Sequence, residues 1–348
     1  MKVLLFIPEN YYGFFHTIKD TFTSIGGEVH SINYRSIVKG WEEKINTQIY
    51  RLPDKYRRKW ENHYFKRINE HYIAEYNRIQ PDVIFVYNNE LLMPETVQYF
   101  KKKSKVVFFL GDCPYYTPTN RHFLPILFHA DAIFTTDTFW ISALKKLGIT
   151  QGYHMYPSFP KQHFRKQLSP DQYEALKSEV LYVGMCYKTS WGLKKANFLN
   201  AFTGFDLHIH GGDSWKRWFD HYPDLKEYYK ERDGYISVEK LNDMYNATKV
   251  APIDANPGLL HAVHWRMLEA LGSGALPLME WQQGVEEIFG GINDIPAVKV
   301  FEEAREMTRF YLDHEDKRLA MVEQMTNRIN KNHSMEKNAA MIQQTLNI

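Results

Sequence analysis

A chain of 348 residues exceeds one typical core of roughly 100–200 residues, so two domains are expected. Hydrophobic residues at 44% and aromatics at 15% supply apolar mass for two cores and exclude a disordered chain, and two cysteines exclude a disulfide scaffold. With 43 Lys and Arg against 41 Asp and Glu, the formal charge of +2 gives no global field toward nucleic acid or an anionic membrane, although local basic clusters can act. Cys113 and Cys186 have no metal or redox spacing. No apolar run reaches membrane-spanning length, and Met1 to Pro8 runs into Glu9 and Asn10 without the marks of a signal peptide. A soluble cytoplasmic protein is expected.

Val3 to Ile7 reads as a strand buried on both faces, Phe14 to Ile25 as an amphipathic helix, and Glu28 to Tyr34 as a second strand, closing a βαβ unit. Ser36 to Ile79 reads as long polar-faced helices. Val83 to Tyr87, Lys105 to Leu110 and Ala132 to Thr135 follow as strands, each emptying into a polar turn where open α/β sheets place ligands. From Tyr156 to Ser178 the period is lost among Pro157, Pro160 and Pro170, which predicts a linker. A second α/β pattern begins with a strand at Val180 to Gly184. Helices are expected over Leu193 to Phe202, Ser237 to Asn246 and Val263 to Leu271. Strands are expected over Leu207 to His210, Lys249 to Ile253, Ala275 to Met279 and near Val298 to Val300, and helices from about Glu302 onward. The fold class is therefore α/β with two Rossmann-like domains facing a cleft. The boundaries are 1–156, a linker over 157–178, a second domain over 179–330 and a helix over 331–348 crossing back to the first domain.

The most informative segment runs from Asn256-Pro257-Gly258 through Arg266 and Glu269 to Gly272-Ser273-Gly274 and Pro277. A Pro-Gly loop at a helix start offers backbone N–H groups to a diphosphate, with Gly258 at its turn. Arg266 and Glu269, three apart on the helix, set a cation beside a carboxylate able to grip hydroxyls. A surface ion pair is the plain alternative. Lys188, with Lys194 and Lys195 at the next helix, supplies further cations for phosphate, or a solvated helix start. After Leu207 to His210, Gly211-Gly212 allows close backbone approach to a base, and Trp215 stands to stack on that base or to pack in the core.

Glu269-Ala270-Leu271-Gly272-Ser273-Gly274-Ala275-Leu276-Pro277 resembles the E-A-x-A-x-G-x-x-P signature of GT-B glycosyltransferases. More closely, Tyr182-Val183-Gly184, Ile209-His210-Gly211 with Trp215, Leu241 to Ala247, and Arg266 to Gly274 resemble the CgeB-like, spore-maturation-type glycosyltransferase family. The first half fits more loosely, through Gly111-Asp112-Cys113-Pro114 and Asp131 to Asp137. The resemblance implies GT-B architecture and a nucleoside-diphosphate sugar as donor substrate, with Glu269 on the donor ribose and no resident cofactor. Retaining GT-B enzymes commonly carry a second Glu eight positions before the ribose Glu, where this chain has His261, so the stereochemistry does not carry over.

Asp112, before Pro114 at a strand end, is the candidate general base, or else a turn cap; Glu90 and Asp137 are lesser candidates, and His261 is a further catalytic candidate. His208 with His210, and His261 with His264, lack the partners of a zinc site. No D-x-D, G-x-G-x-x-G, P-loop or G-x-S-x-G occurs, which lowers metal-dependent GT-A, dehydrogenase, kinase and esterase readings. Arg51 to Arg67 is a basic and aromatic helix, either a solvated face or a contact for an acidic acceptor, nucleic acid or membrane. The expectation is a metal-independent glycosyltransferase whose acceptor is a glycan, protein or nucleic acid. Rivals are a nucleotide-sugar 2-epimerase, a nucleic-acid-modifying transferase and a catalytically silent sugar-binding or nucleotide-binding structural protein.

Overall fold

The apolar runs form two parallel sheets in this computed structural model, which describes residues 1–7, 13–33, 36–88, 91–115, 122–231 and 236–348. The chain divides into two units, Met1–Pro157 with Met335–Ile348, and Ser158–Ser334.

In the first unit, β1 (Lys2–Phe6), β2 (Glu28–Ser31), β3 (Val83–Tyr87), β4 (Lys105–Leu110), β5 (Ala132–Thr135) and β6 (Gly152–His154) lie in the order β2-β1-β3-β4-β5-β6. Every pairing is parallel. The central strands are buried on both faces, from Val83 to Val86 and from Val106 to Leu110, as continuous β-branched and aromatic runs require. The helix Phe14–Ser24 turns Phe14, Ile18 and Phe22 inward, and the helix Met335–Leu346 packs on it through buried Ala339, Ile342 and Leu346. Asn338 Nδ2 of that last helix donates to the Tyr156 carbonyl at 3.1 Å.

In the second unit, β7 (Ser178–Val183), β8 (Leu207–Gly211), β9 (Tyr229–Glu231), β10 (Thr248–Ile253), β11 (Leu276–Glu280) and β12 (Ala297–Val298) lie in the order β12-β11-β10-β7-β8-β9. The winding starts at β7, runs outward through β8 and β9, then returns to β10 on the other side of β7. The junction of β7 and β10 is thus the topological switch point, the place where the loops leaving the carboxyl ends part and a doubly wound sheet opens a crevice.

The α/β expectation holds, with two additions. β6 and β9 are three-residue edge strands whose sequences, Gly-Tyr-His and Tyr-Lys-Glu, carry no apolar run to announce them. The Pro-containing stretch expected as a linker is built into the second unit from Ser158 onward. Ser158 and His163 are buried there, and the Phe164 and Lys166 N–H groups donate to the Asn242 and Asn246 Oδ1 atoms at 3.0 and 2.8 Å.

Candidate active site

At the switch point of the second sheet the chain buries a charged cluster. Tyr182, the penultimate residue of β7, donates its hydroxyl to Asp254 Oδ1 at 2.8 Å, and Asp254 follows the last residue of β10. Arg266 Nη1 donates to the same oxygen at 3.0 Å, and Lys195 Nζ reaches Asp254 Oδ2 at 3.2 Å while donating to the Met185 carbonyl at 3.0 Å. The Arg266 guanidinium also lies over the Tyr182 ring, 4.7 Å from its centroid. Lys195 and Asp254 are each 3% exposed. Burial alone would raise the Asp254 carboxyl, but Lys195 and Arg266 hold it well below the usual carboxylate range. Two cations on one carboxylate leave an excess positive charge at the crevice, which suits a group carrying negative charge.

Glycine permits this packing at two points. A Cβ on Gly184 would stand 2.9 Å from Arg266 Nη2, and one on Gly211 would fall onto Trp215 Nε1 and 2.6 Å from the Gly184 carbonyl. Trp215 is fully buried, donates Nε1 to that carbonyl at 2.9 Å, and meets the Tyr182 ring edge to face. Of the two roles expected for Trp215, the structure gives it the core one. Gly211 likewise makes room for the chain's own indole rather than for a base.

The helix carrying the signature starts later than its periodicity predicts, at Arg266, and runs to Ser273. Gly258 therefore lies in a loop and not at a helix start. This loop is tied down by backbone partners: the Leu259 N–H donates to the Asn256 carbonyl, Ala255 to Glu280 Oε2 and Gly284 to the His261 carbonyl. The Arg266 N–H donates to His264 Nδ1 at 3.1 Å, a cap that the usual Ser, Thr, Asp or Asn signal does not announce. Burial and the adjacent Arg266 hold the His264 imidazole at about 3, neutral at pH 7 and therefore able to accept this bond. Arg266 sits at the positive end of its helix, an unfavourable place for a cation that Asp254 compensates.

Glu269 lies one turn on, 7% exposed, and accepts from Trp265 Nε1 at 3.2 Å. Burial lifts its carboxyl to about 7, against Arg266 and the Trp265 N–H, which lower it. Tyr245, fully buried on the neighbouring helix Val238–Asn246, feels the charges of Glu269 and Arg266, and its hydroxyl has no hydrogen-bond partner. The Glu269 carboxyl and the unpartnered Tyr245 hydroxyl are polar groups of the kind that take hydroxyls.

The expected cations separate. Arg266 and Lys195 converge on Asp254, Lys194 pairs with Glu280 at 2.6 Å, and Lys188 is exposed on the loop before the helix Ser190–Asn200. Lys195 lies within that helix, not at its opening. His261 is partly exposed, its Nδ1 3.9 Å from Glu287 Oε1. The residues missed from sequence are Asp254 and Tyr182. The available signal was an aspartate placed directly after an apolar strand.

In the first unit, Asn88 follows β3 with a left-handed φ of 38° and bridges to β4. Its Oδ1 accepts from the Gly111 N–H at 2.9 Å and its Nδ2 donates to Asp112 Oδ2 at 2.6 Å. Burial raises the Asp112 carboxyl above its ordinary range, while the Asn88 hydrogen bond lowers it. Asp137 is fully buried and accepts from the Phe139 N–H at 2.9 Å, capping the helix Thr138–Lys146. This corrects its place among the acid–base candidates. Glu90 lies outside the described residues. The basic helix is Asp54–Ile79, in which Arg57 and Arg58 pair with Asp54, Arg67 pairs with Glu42, and Tyr64 and Phe65 are buried. Among the described residues no group of three His, Cys, Asp or Glu gathers as metal ligands, and no helix is long and apolar enough to cross a membrane.

Two doubly wound parallel sheets, the second with a cationic switch point followed by the signature helix, are the GT-B fold. Residues 193–344 of the chain match the family described as glycosyl transferase-like, which supports a glycosyltransferase. By structure it is similar to HepE of Anabaena, described in complex with UDP-glucose, at 11% identity and a TM-score of 0.65 over 100% of this chain and 99% of that one. It is also similar to sucrose-phosphate synthase of Thermosynechococcus elongatus at 12% identity and a TM-score of 0.69, covering 100% and 98% of the two chains. No curated protein matches by sequence.

Proposed function

We propose that the protein transfers a sugar from a nucleoside-diphosphate donor to an acceptor hydroxyl by a metal-independent route, within the CgeB-like branch that its motifs resemble. The observation that carries this reading is the pair of buried cations on Asp254 beside Glu269, at the switch point of the second sheet. In this reading Glu269 takes the ribose hydroxyls. Arg266 and Lys195, with exposed Lys188 and the Gly258 loop nearby in sequence, hold the diphosphate. As the acceptor oxygen bonds the anomeric carbon, the bond to the diphosphate breaks and its electrons leave with the phosphate oxygen. Fixed cations stabilise that departing charge.

Asp112 is assigned the acceptor's proton. Support comes from a carboxyl raised by burial, and so made more basic, and steered by Asn88. His261 is the reserve candidate. UDP sugars are the first donors to test, because HepE is described with UDP-glucose. Calorimetric titration with UDP-glucose and other nucleotide sugars, followed by chromatography of nucleotide release with and without glycan, protein and nucleic-acid acceptors, tests the proposal. Acceptor-dependent release supports it. Donor conversion without acceptor identifies an epimerase, and nucleotide binding without turnover identifies a silent binding protein.

A further inference from the structure

At the opposite end of β10 from Asp254, where the strand begins at Thr248, the surface opens a cavity of about 520 Å³. That volume lies within the range of small-molecule sites. Arg165, Lys166, Lys249 and Arg318 line it, and among the described residues of its wall Glu315 is the only acidic one. Lys166 pairs with Asp243, and Arg318 Nη2 donates to Glu315 Oε1 at 3.2 Å. Four cations therefore face two carboxylates. The helix termini alter this balance little. The carboxyl ends of Val238–Asn246 and Arg266–Ser273 bring partial negative charge, and the amino end of Glu315–Asn332 offsets part of it.

Arg318 marks the cavity as more than a solvated basic rim. It is 6% exposed, and its Nε is buried with no hydrogen-bond partner. Burial disfavours its charge by more than Glu315 restores, and Arg165 adds a like charge. Glu315 is itself mostly in solvent, with 69% of its side chain exposed, and so is a weak counterion. Arg165, by contrast, is positioned by packing. Its stem lies over Gly274, where a Cβ would stand 3.1 Å from Arg165 Nε.

We propose that this cavity is a second ligand site, independent of the donor reading above, for a compact phosphate dianion: inorganic phosphate or the phosphate monoester of a small metabolite. A phosphate oxygen set against Arg318 and Arg165 neutralises a pair of guanidinium groups that the chain leaves short of negative charge, with the fork geometry that favours phosphate over halide.

The test is calorimetric titration with inorganic phosphate and separately with glucose 6-phosphate, against sodium chloride at matched ionic strength. Arg165→Gln/Lys249→Gln, which changes only rim residues, is expected to lower the affinity for both ligands at least tenfold. Arg318→Lys, which keeps the buried charge but removes the fork, is expected to weaken both while still folding. Arg266→Lys, in the donor site, is expected to leave both affinities in place. The tighter of the two ligands identifies the source of the phosphate group. Unchanged affinity in Arg165→Gln/Lys249→Gln, loss in Arg266→Lys instead, or equal heats with chloride would each overturn the site.

Discussion

Replacing Glu269 by Gln separates what this residue costs the fold from what it gives the donor. The folded carboxyl titrates at about 7 against an ordinary 4.5, because burial disfavours its charge. At 1.36 kcal/mol per unit, the difference amounts to roughly 3 kcal/mol. Between pH 4.5 and 7 the unfolded chain gives up this proton while the folded chain keeps it, so rising pH weakens the fold across that window, and the full penalty stands above pH 7. Glutamine is neutral throughout and retains an oxygen for the Trp265 N–H. Glu269→Gln should therefore nearly match the wild type at pH 4, exceed it by less than about 1 kcal/mol at pH 5 and exceed it by about 3 kcal/mol at pH 8, a rise in Tm of roughly 6–12 °C at pH 8. Thermal scans at the lowest and highest of these pH values measure this. An equal shift at both, or a lower Tm at pH 8, refutes the burial argument. Donor binding should move the opposite way. Wild-type affinity is expected to rise roughly tenfold from pH 6 to 8 as Glu269 ionises, and Glu269→Gln should lose about 1.5–3 kcal/mol of it. A flat affinity profile over that range removes the ribose assignment.

Asp254→Asn strips the shared partner from two buried cations and should destabilise the second unit by about 3–5 kcal/mol, read as a drop in Tm; a drop below 1 kcal/mol would mean that the cluster is solvated. Asp112→Asn should keep the Tm and the donor affinity while turnover falls about 10²–10⁴-fold; turnover within a few-fold of wild type passes the role to His261. EDTA should leave turnover unchanged, and loss restored by Mg²⁺ or Mn²⁺ would end the metal-independent proposal. Gly184→Ala places a methyl against Arg266 and should weaken donor binding at least several-fold by calorimetry, with an unchanged affinity showing that Arg266 has room to shift.

The strands of both sheets could be read from sequence because parallel strands buried on two faces are continuous apolar runs, as Val83 to Tyr87 and Lys105 to Leu110 are. Edge strands need only one covered face, so Gly152–His154 and Tyr229–Glu231 escape the same signal. At the site, Glu269 and Arg266 were legible because helical spacing places them together. Their partners were not, since Tyr182 reaches Asp254 across 72 positions and Lys195 comes from a helix between them. Only strand order sets β7 beside β10, and strand order is a long-range property that periodicity does not encode. The late helix start at Arg266 was hidden for a related reason: its cap is an imidazole made neutral by burial, a state that exists only in the folded chain.

The first unit is discontinuous, since Met335–Ile348 completes it after the whole of Ser158–Ser334 has been threaded. This sets an order on synthesis. The second unit is contiguous and has all its residues in hand before the helix Met335–Leu346 emerges, whereas the surface of Phe14–Ser24 that this helix covers waits bare until then. The two segments of the first unit are thus joined only after all of Ser158–Ser334 has been made, and over that interval an apolar face of Phe14–Ser24 lacks its cover.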